Sequence, residues 1–289
     1  MFAVVGASGR TGSKVTRRLL AAAQSVRGIV RGEAAAQALE ASGAMAARLS
    51  LADSTALTQA LRGAQAVYAL LPEDLRTADF HAQRRRMTDA LAQAVRAAGV
   101  PHVVLLSAAV AGATETVSSL AAELRYAEAA LAAAGCELTL LRASYFQENV
   151  LSALPAARSA GVFPSFFASA AYAFPTVATG DIAELATRCL LEPQPGIIDV
   201  QGPSYSAREL AAQLGAALGR ELRVVDVPGQ AQGELLVQAG LPRDYAQALV
   251  DLFACYRPGR LPAPSGRVFR GSTRLEAILP ELVRQEAGR

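Results

Sequence analysis

Apolar positions along this chain fall into two alternating rhythms. Short unbroken runs read as buried strands, and stretches with apolar residues three and four apart read as helices. Residues 2–5 form the first run. Residues 10–23 follow as a helix, with Val15, Leu19 and Leu20 on one face. Strands are predicted at 25–30, 46–50 and 66–71, the last stopped by Pro72, with a short helix at 55–62. A helix at 80–98 ends on Gly99, a residue suited to the left-handed cap. A strand at 103–107, a helix at 120–134 closed by Gly135 and a strand at 137–141 complete the series. Strict alternation of strand and helix predicts an α/β fold, a Rossmann-type doubly wound parallel sheet with helices on both faces.

Beyond residue 151 the rhythm loosens. Residues 163–174 are rich in aromatics, proline and serine and read as a loop or cap over a pocket. A capped helix is expected at 179–191, and a short strand at 197–200 that is able to return to the first sheet. A helix at 206–218 opens on Ser206 and Glu209, the spacing of a capping box. A strand at 222–227 and helical residues 233–252 follow. The expected organisation is a dinucleotide-binding domain over 1–150, to which 179–200 can return, and a smaller α+β substrate or cap domain over 151–289.

The segment Val4-Val5-Gly6-Ala7-Ser8-Gly9-Arg10-Thr11-Gly12 adds a ligand to this picture. Three glycines spaced by three follow a strand and open a helix. Such a turn brings the backbone close to a pyrophosphate, and the amides at the positive end of the helix face that anion. The second strand ends at Arg31, where an NAD site usually carries an acid for the ribose 2′-hydroxyl. Arginine there suits the 2′-phosphate of NADP instead, and Arg10 in the glycine loop offers a second guanidinium. Glu33, two residues on, is a weak competitor. Ligands of such sheets lie outside the C-terminal strand ends. The cofactor-lining candidates are therefore Gly6, Ser8, Gly9, Arg10, Thr11 and Gly12, then Arg31, Ser50 and Leu51, then Leu70, Leu71 and Pro72, and finally Ser107, Tyr145 and Phe146.

Composition narrows the class. The chain has 289 residues, 52% hydrophobic and 18% charged, which favours a large core over disorder. The net charge of +3 is too small for a nucleic-acid footprint, and the single basic run, Arg84-Arg85-Arg86, reads as a solvated helix face without aromatics to stack bases. Cys136, Cys189 and Cys255 are too far apart for metal or redox spacing and fit a reducing compartment. His81 and His102 are isolated, so no metal site is expected. Phe2 already begins a strand and no apolar run nears the ~20 residues of a membrane helix, so a soluble cytoplasmic protein is expected, with neither secretory leader nor membrane partner.

The chain resembles the NmrA-like group of atypical short-chain dehydrogenases/reductases, which includes NAD(P)H:quinone reductase-like members. The likeness rests on Gly6-Ala-Ser-Gly-Arg-Thr-Gly12, Val30-Arg31, Leu61-Arg-Gly-Ala-Gln-Ala-Val67, His102-Val-Val-Leu-Leu-Ser107, Leu141-Arg-Ala-Ser-Tyr-Phe-Gln-Glu-Asn149, Gly180-Asp-Ile-Ala183 and Tyr205-Ser-Ala-Arg-Glu-Leu210. It implies a dinucleotide domain and a smaller domain with a cleft between them. Two departures stand out. Ala143 replaces a proline common in the family, and Lys14 is the only lysine of the chain. The short-chain dehydrogenase Tyr–Lys pair is therefore missing: Tyr126 lies in the right helix, but Ala130 holds the lysine position and Arg125 cannot shuttle a proton near neutral pH.

Hydride transfer from a nicotinamide needs positioning above all. A quinone accepts it without a strong acid, whereas a ketone does not. NADPH-dependent reduction of a quinone-like small molecule is the expected activity, with Ser107 and Tyr145 as candidate proton donors and Asn149 as a candidate for holding a substrate carbonyl. Tyr145 and Phe146 are also candidates for stacking on cofactor or quinone. Asp181 reads as a helix-start residue. Two alternatives stay open: an NADP(H)-sensing regulator that docks a partner protein without turnover, and a specialised biosynthetic reductase or isomerase.

Overall fold

Eight parallel strands form one sheet, and the chain visits it in three passes. The computed structural model describes residues 1–72, 77, 79–113 and 118–287. The first pass runs β1 (Phe2–Val5), α1 (Gly12–Ala21), β2 (Val26–Val30), α2 (Glu33–Ala41), β3 (Met45–Arg48), α3 (Ser54–Leu61), β4 (Ala66–Ala69), α4 (Phe80–Ala98), β5 (His102–Ala108), α5 (Ser119–Ala132) and β6 (Glu137–Ala143). After β6 the chain leaves the sheet through β7 (Tyr145–Phe146), a 3₁₀ turn, α6 (Leu154–Ala160), β8 (Val162–Ser165) and β9 (Phe174–Val177). It returns as α7 (Thr179–Leu191) and β10 (Gly196–Gln201), then leaves again through β11 (Ser204–Tyr205), α8 (Ala207–Leu218), β12 (Arg223–Asp226), α9 (Gly229–Gln238) and α10 (Arg243–Phe253). It returns a last time as β13 (Arg267–Arg270) before α11 (Leu275–Ala287).

The strand order is β13-β10-β6-β5-β4-β1-β2-β3, every pairing parallel. Order reverses between β1 and β4, so a crevice opens at their carboxyl ends. One apolar core lies on the α1, α2 and α7 side of the sheet, with Val15, Leu19, Ile182 and Cys189 fully buried. A second lies under α3, α4 and α5, with Leu57, Leu61, Leu91 and Leu131. Gly28 is the residue that lets these layers close at β2, because a Cβ there would stand 2.6 Å from Leu39 and 2.8 Å from Ala7. The excursions from the sheet build a third core from Leu154, Phe163, Phe174, Leu210, Leu214 and Leu279. A three-stranded sheet, β11-β9-β7, joins this core to the large one.

The structure shifts several expected boundaries. The strand expected to end at residue 50 ends at Arg48, and β4 ends at Ala69 because Leu70–Pro72 peels away over the glycine loop. The helix expected from residue 10 begins at Gly12, which leaves Arg10 and Thr11 in the turn. The aromatic segment 163–174 supplies strand residues at both ends as well as a loop. The single helix expected over 233–252 is two, broken where Gly240 takes φ 93° and Pro242 precedes α10. The periodicity gave no sign of α2, β13 or α11.

The arginine run is corrected more sharply. Arg84 is buried, its guanidinium donating to the Leu71 carbonyl (3.1 Å) and lying over the Phe80 ring. Arg85 bonds Glu123. Three consecutive arginines on a helix point in three directions, and only Arg86 is a plain solvated charge.

Candidate active site

The glycine loop is held by its own backbone. Gly6 takes φ +69° and accepts the Gly9 amide at 2.9 Å; Gly6 and Ala7 donate to the Ile29 carbonyl of β2. A Cβ on Gly12 would stand 2.3 Å from the Gly6 carbonyl, and one on Gly9 3.2 Å from the same oxygen. Bulk at position 12 is thus incompatible with the turn itself. Position 9 is tight but passable, with no other atom within 4 Å of a Cβ there.

The start of α1 is open to an anion. Asp53, Asp79, Ser118 and Ser206 cap α3, α4, α5 and α8 with their side chains, whereas no side chain caps α1, as is also the case for α2, α7, α9 and α10. Among the described residues the amides of Arg10, Thr11 and Gly12 have no protein acceptor. Donors left unpaired at the positive end of a ten-residue helix fit a pyrophosphate. Thr11 is buried, and its hydroxyl accepts from Tyr68 at 2.9 Å.

The other expected cofactor residues spread along the same edge. Ser8 is exposed on the loop. Arg31 is exposed at the end of β2, and Glu33, its expected weak competitor, pairs with Arg48 at 3.3 Å. Ser50 is exposed and its hydroxyl accepts from Ala52, while Leu51 is buried in the second core. Leu70 presses on the glycine loop, with its Cδ1 3.1 Å from where a Gly6 Cβ would lie. Leu71 is buried and anchored by Arg84, with Pro72 half-buried after it. Arg10 does not turn towards β2. Its Nη1 donates to Asn149 Oδ1 at 3.4 Å, on the wall beyond β6, so the expected pair of guanidiniums on one phosphate is not pre-assembled.

The candidate proton donors are placed differently. Ser107 is buried at the end of β5 and donates to Glu128 Oε1 at 2.6 Å, a carboxylate also held by Arg142 at 2.6 and 3.0 Å. The serine proton is committed to that carboxylate, so the oxygen turns acceptor lone pairs to its surroundings. Tyr145 and Phe146 are neighbours on β7 and therefore face opposite ways. Phe146 packs on the large-sheet core, and Tyr145 enters an aromatic cluster with Phe167, Phe174 and Tyr256 at 5.5–5.6 Å between ring centroids. Burial pushes the Tyr145 phenol well above its ordinary range, with the Arg10 charge opposing. It is a neutral hydrogen-bond donor, not a ready acid.

The residues weighed for a dehydrogenase pair are occupied elsewhere. Tyr126 is exposed, donates to Asp89 at 2.6 Å and lies under Arg85. Arg125 donates to the Ala113 carbonyl. Lys14 Nζ donates to Thr179 Oγ1 at 2.5 Å and pairs with Glu148 at 3.3 Å. Asp181 is the third residue of α7, and its carboxylate takes the Thr273 amide and hydroxyl, a structural tie. His102 is buried against Thr139, where burial lowers its pKa. Among the described residues no cluster of metal-ligating side chains occurs, and no helix is long and apolar enough to cross a membrane.

The sequence alone does not single out Glu148, Thr179 or Tyr68, and it reads Arg84 only as part of a solvated basic run. Glu148 lies inside the family-like stretch 141–149, which was its only signal. The aromatic partners of Tyr145 come from two segments, the aromatic stretch 163–174 and the distant Tyr256, and no spacing rule connects them to it.

Comparison with known proteins agrees with this geometry. Quinone oxidoreductase 2 of Escherichia coli (strain K12) is 30% identical over 256 residues, spanning 87% of this chain and 86% of that protein. An NAD(P)H azoreductase of Xenophilus azovorans is 28% identical over 264 residues, spanning 90% and 89%. The crystal structure of an Escherichia coli NADPH-dependent quinone oxidoreductase complexed with NADPH superposes with a TM-score of 0.81 at 27% identity, covering 98% of this chain and all of that one. The NmrA-like family model matches residues 1–262, and the chain belongs to the NmrA-like family.

Proposed function

We propose that the protein is an NADPH-dependent oxidoreductase that passes hydride to a quinone-like conjugated acceptor. The observation that carries the cofactor half is the uncapped start of α1, whose free amides sit in a glycine turn too tight for side chains at position 12. Family membership, a relative named as an NAD(P)H azoreductase and a structural neighbour named as an NADPH-dependent quinone oxidoreductase support the reaction class. Gly6, Gly9, Thr11 and Gly12 would hold the pyrophosphate. Arg31 would meet the 2′-phosphate, with Ser8, Ser50, Leu51 and Leu70 to Pro72 lining the adenosine side and the path along the crevice. NADPH supplies the hydride when bound.

The acceptor half rests on what the acids are doing. Lys14, Tyr126 and Ser107 each have their proton or charge committed to a carboxylate or hydroxyl nearby. Tyr145 is left as a neutral donor beside an aromatic wall. This arrangement can orient a carbonyl but does not drive strong proton transfer. A quinone spreads the incoming charge over its ring and needs no strong acid. General acid catalysis is worth about 10²–10⁴-fold, which a simple ketone would forgo. NADPH oxidation is therefore expected with a benzoquinone and not with an aliphatic ketone. Efficient ketone turnover would overturn the acceptor assignment. Tight NADPH binding without turnover of either acceptor would point to a sensor.

A further inference from the structure

Two cations of the cofactor turn reach across to two adjacent residues of the opposite wall. Arg10 donates to Asn149, and Lys14, one helical turn on, pairs with Glu148. The second contact is the more built. Glu148 is buried, with 3% of its side chain exposed, and accepts the Thr179 amide at 3.0 and 3.1 Å and the Thr179 hydroxyl. Lys14 Nζ closes the cluster by donating to both partners. The cluster thus joins three elements: the start of α1, the turn after β7 and the start of α7. α1 and α7 each also bury an apolar face in the first core, so the cluster is not the only tie of either helix to the fold.

We propose that Lys14 and Glu148 are positioning residues that couple the phosphate cradle to the wall carrying Tyr145 and Phe146, so that occupancy of the cradle sets the place of the acceptor site. The chain's single lysine acts here as a strut, not as a proton shuttle. Asn149, expected to hold a substrate carbonyl, belongs to the same strut through Arg10. A buried carboxylate fixed by three donors has one geometry, and shortening or neutralising one member frees the wall to shift. Misplacement of about 1 Å between reacting groups costs up to ~10²-fold in rate. The catalytic part of this proposal rests on the quinone-reductase assignment above; the coupling itself does not.

The test uses Lys14→Met, which keeps the apolar stem, with Lys14→Arg as conservative rescue and Glu148→Gln as a second variant should Lys14→Met fail to fold. Hydrogen exchange of residues 144–151 is measured with and without NADPH, alongside NADPH affinity and kcat for benzoquinone. In the wild type, NADPH is expected to protect 144–151. In Lys14→Met that protection is lost, kcat falls about 10-fold or more, NADPH affinity stays within about 3-fold, and Lys14→Arg recovers most of both effects. Undiminished protection in Lys14→Met overturns the coupling. So does loss of NADPH affinity matching the loss of rate, which would make Lys14 a plain cofactor ligand. If the wild type reduces no quinone, the reductase assignment fails, and the exchange data still decide the coupling.

Discussion

The two walls of the crevice are made of different material. On the β1–α1 side the working groups are backbone amides, displayed by a turn that excludes side chains at position 12 and crowds them at position 9. On the β6–β7 side they are side chains, and their neighbours come from Phe167, Phe174 and Tyr256, up to 111 residues from Tyr145. The first wall must fit a group common to all dinucleotides, so its chemistry is that of the peptide unit. On the proposed function the second would fit one acceptor, and its chemistry is shape and aromatic surface. Binding of the cofactor and choice of acceptor are therefore separable by mutation.

The sharpest way to break that separation is at Gly9. Valine there leaves the turn passable but fills the space the pyrophosphate needs. NADPH affinity should fall by about 100-fold or more, while the melting temperature stays near that of the wild type. Titration of the variant with NADPH, beside its melting curve, checks this. A folded Gly9→Val protein that binds NADPH normally would remove the backbone cradle from the account.

Arg31 sharpens the same wall at its far end. It is exposed at the end of β2, and Glu33, two residues on, pairs with Arg48. Removing a charge-assisted arginine–phosphate contact should reduce the preference for NADPH over NADH by roughly 10–100-fold. Arg31→Ala titrated with both cofactors reads it. A wild type without preference, or a variant that keeps one, would contradict the assignment. Arg10 is expected to contribute less to this preference, because its guanidinium is turned to Asn149.

The same contrast explains what could be read from residues alone. The glycine turn, the β2 end and the strand–helix alternation obey local rules, and the parallel sheet follows from them. The arginine run misled because charge on a helix reads as solvent-facing, while Arg84 is buried to hold the Leu71 carbonyl, a contact between elements. Ser107 was legible as a strand-end residue, but its commitment to Glu128 was not, since Glu128 and Arg142 are brought to it by the packing of α5 on β6. Glu148 and Thr179 are 31 residues apart with α6, β8 and β9 between them, so only the folded chain joins them. Local geometry writes the cradle; tertiary packing writes the acceptor wall.

The smallest expected effect lies at Tyr145, where the acceptor wall meets Arg10. Its phenol is held neutral by burial, so Tyr145→Phe removes one hydrogen-bond donor and little else. Quinone turnover should fall only by about 2–5-fold, the scale of one hydrogen bond. The same burial has a consequence for stability. Tyr68, Tyr145 and Tyr256 all have phenols raised above the ordinary value. A group whose folded pKa exceeds its unfolded one contributes stability that is present below the unfolded value and lost as pH rises through the folded one. With an unfolded phenol near ~10, stability should decline as pH climbs past about 10. Phenylalanine at position 145 takes one phenol out of that balance. Denaturation midpoints at pH 8 and pH 11 should therefore differ less in Tyr145→Phe than in the wild type. An equal or larger loss in the variant would mean that the phenol is not held neutral by the aromatic cluster, and a loss of turnover beyond about 100-fold would make Tyr145 the strong acid that its surroundings argue against.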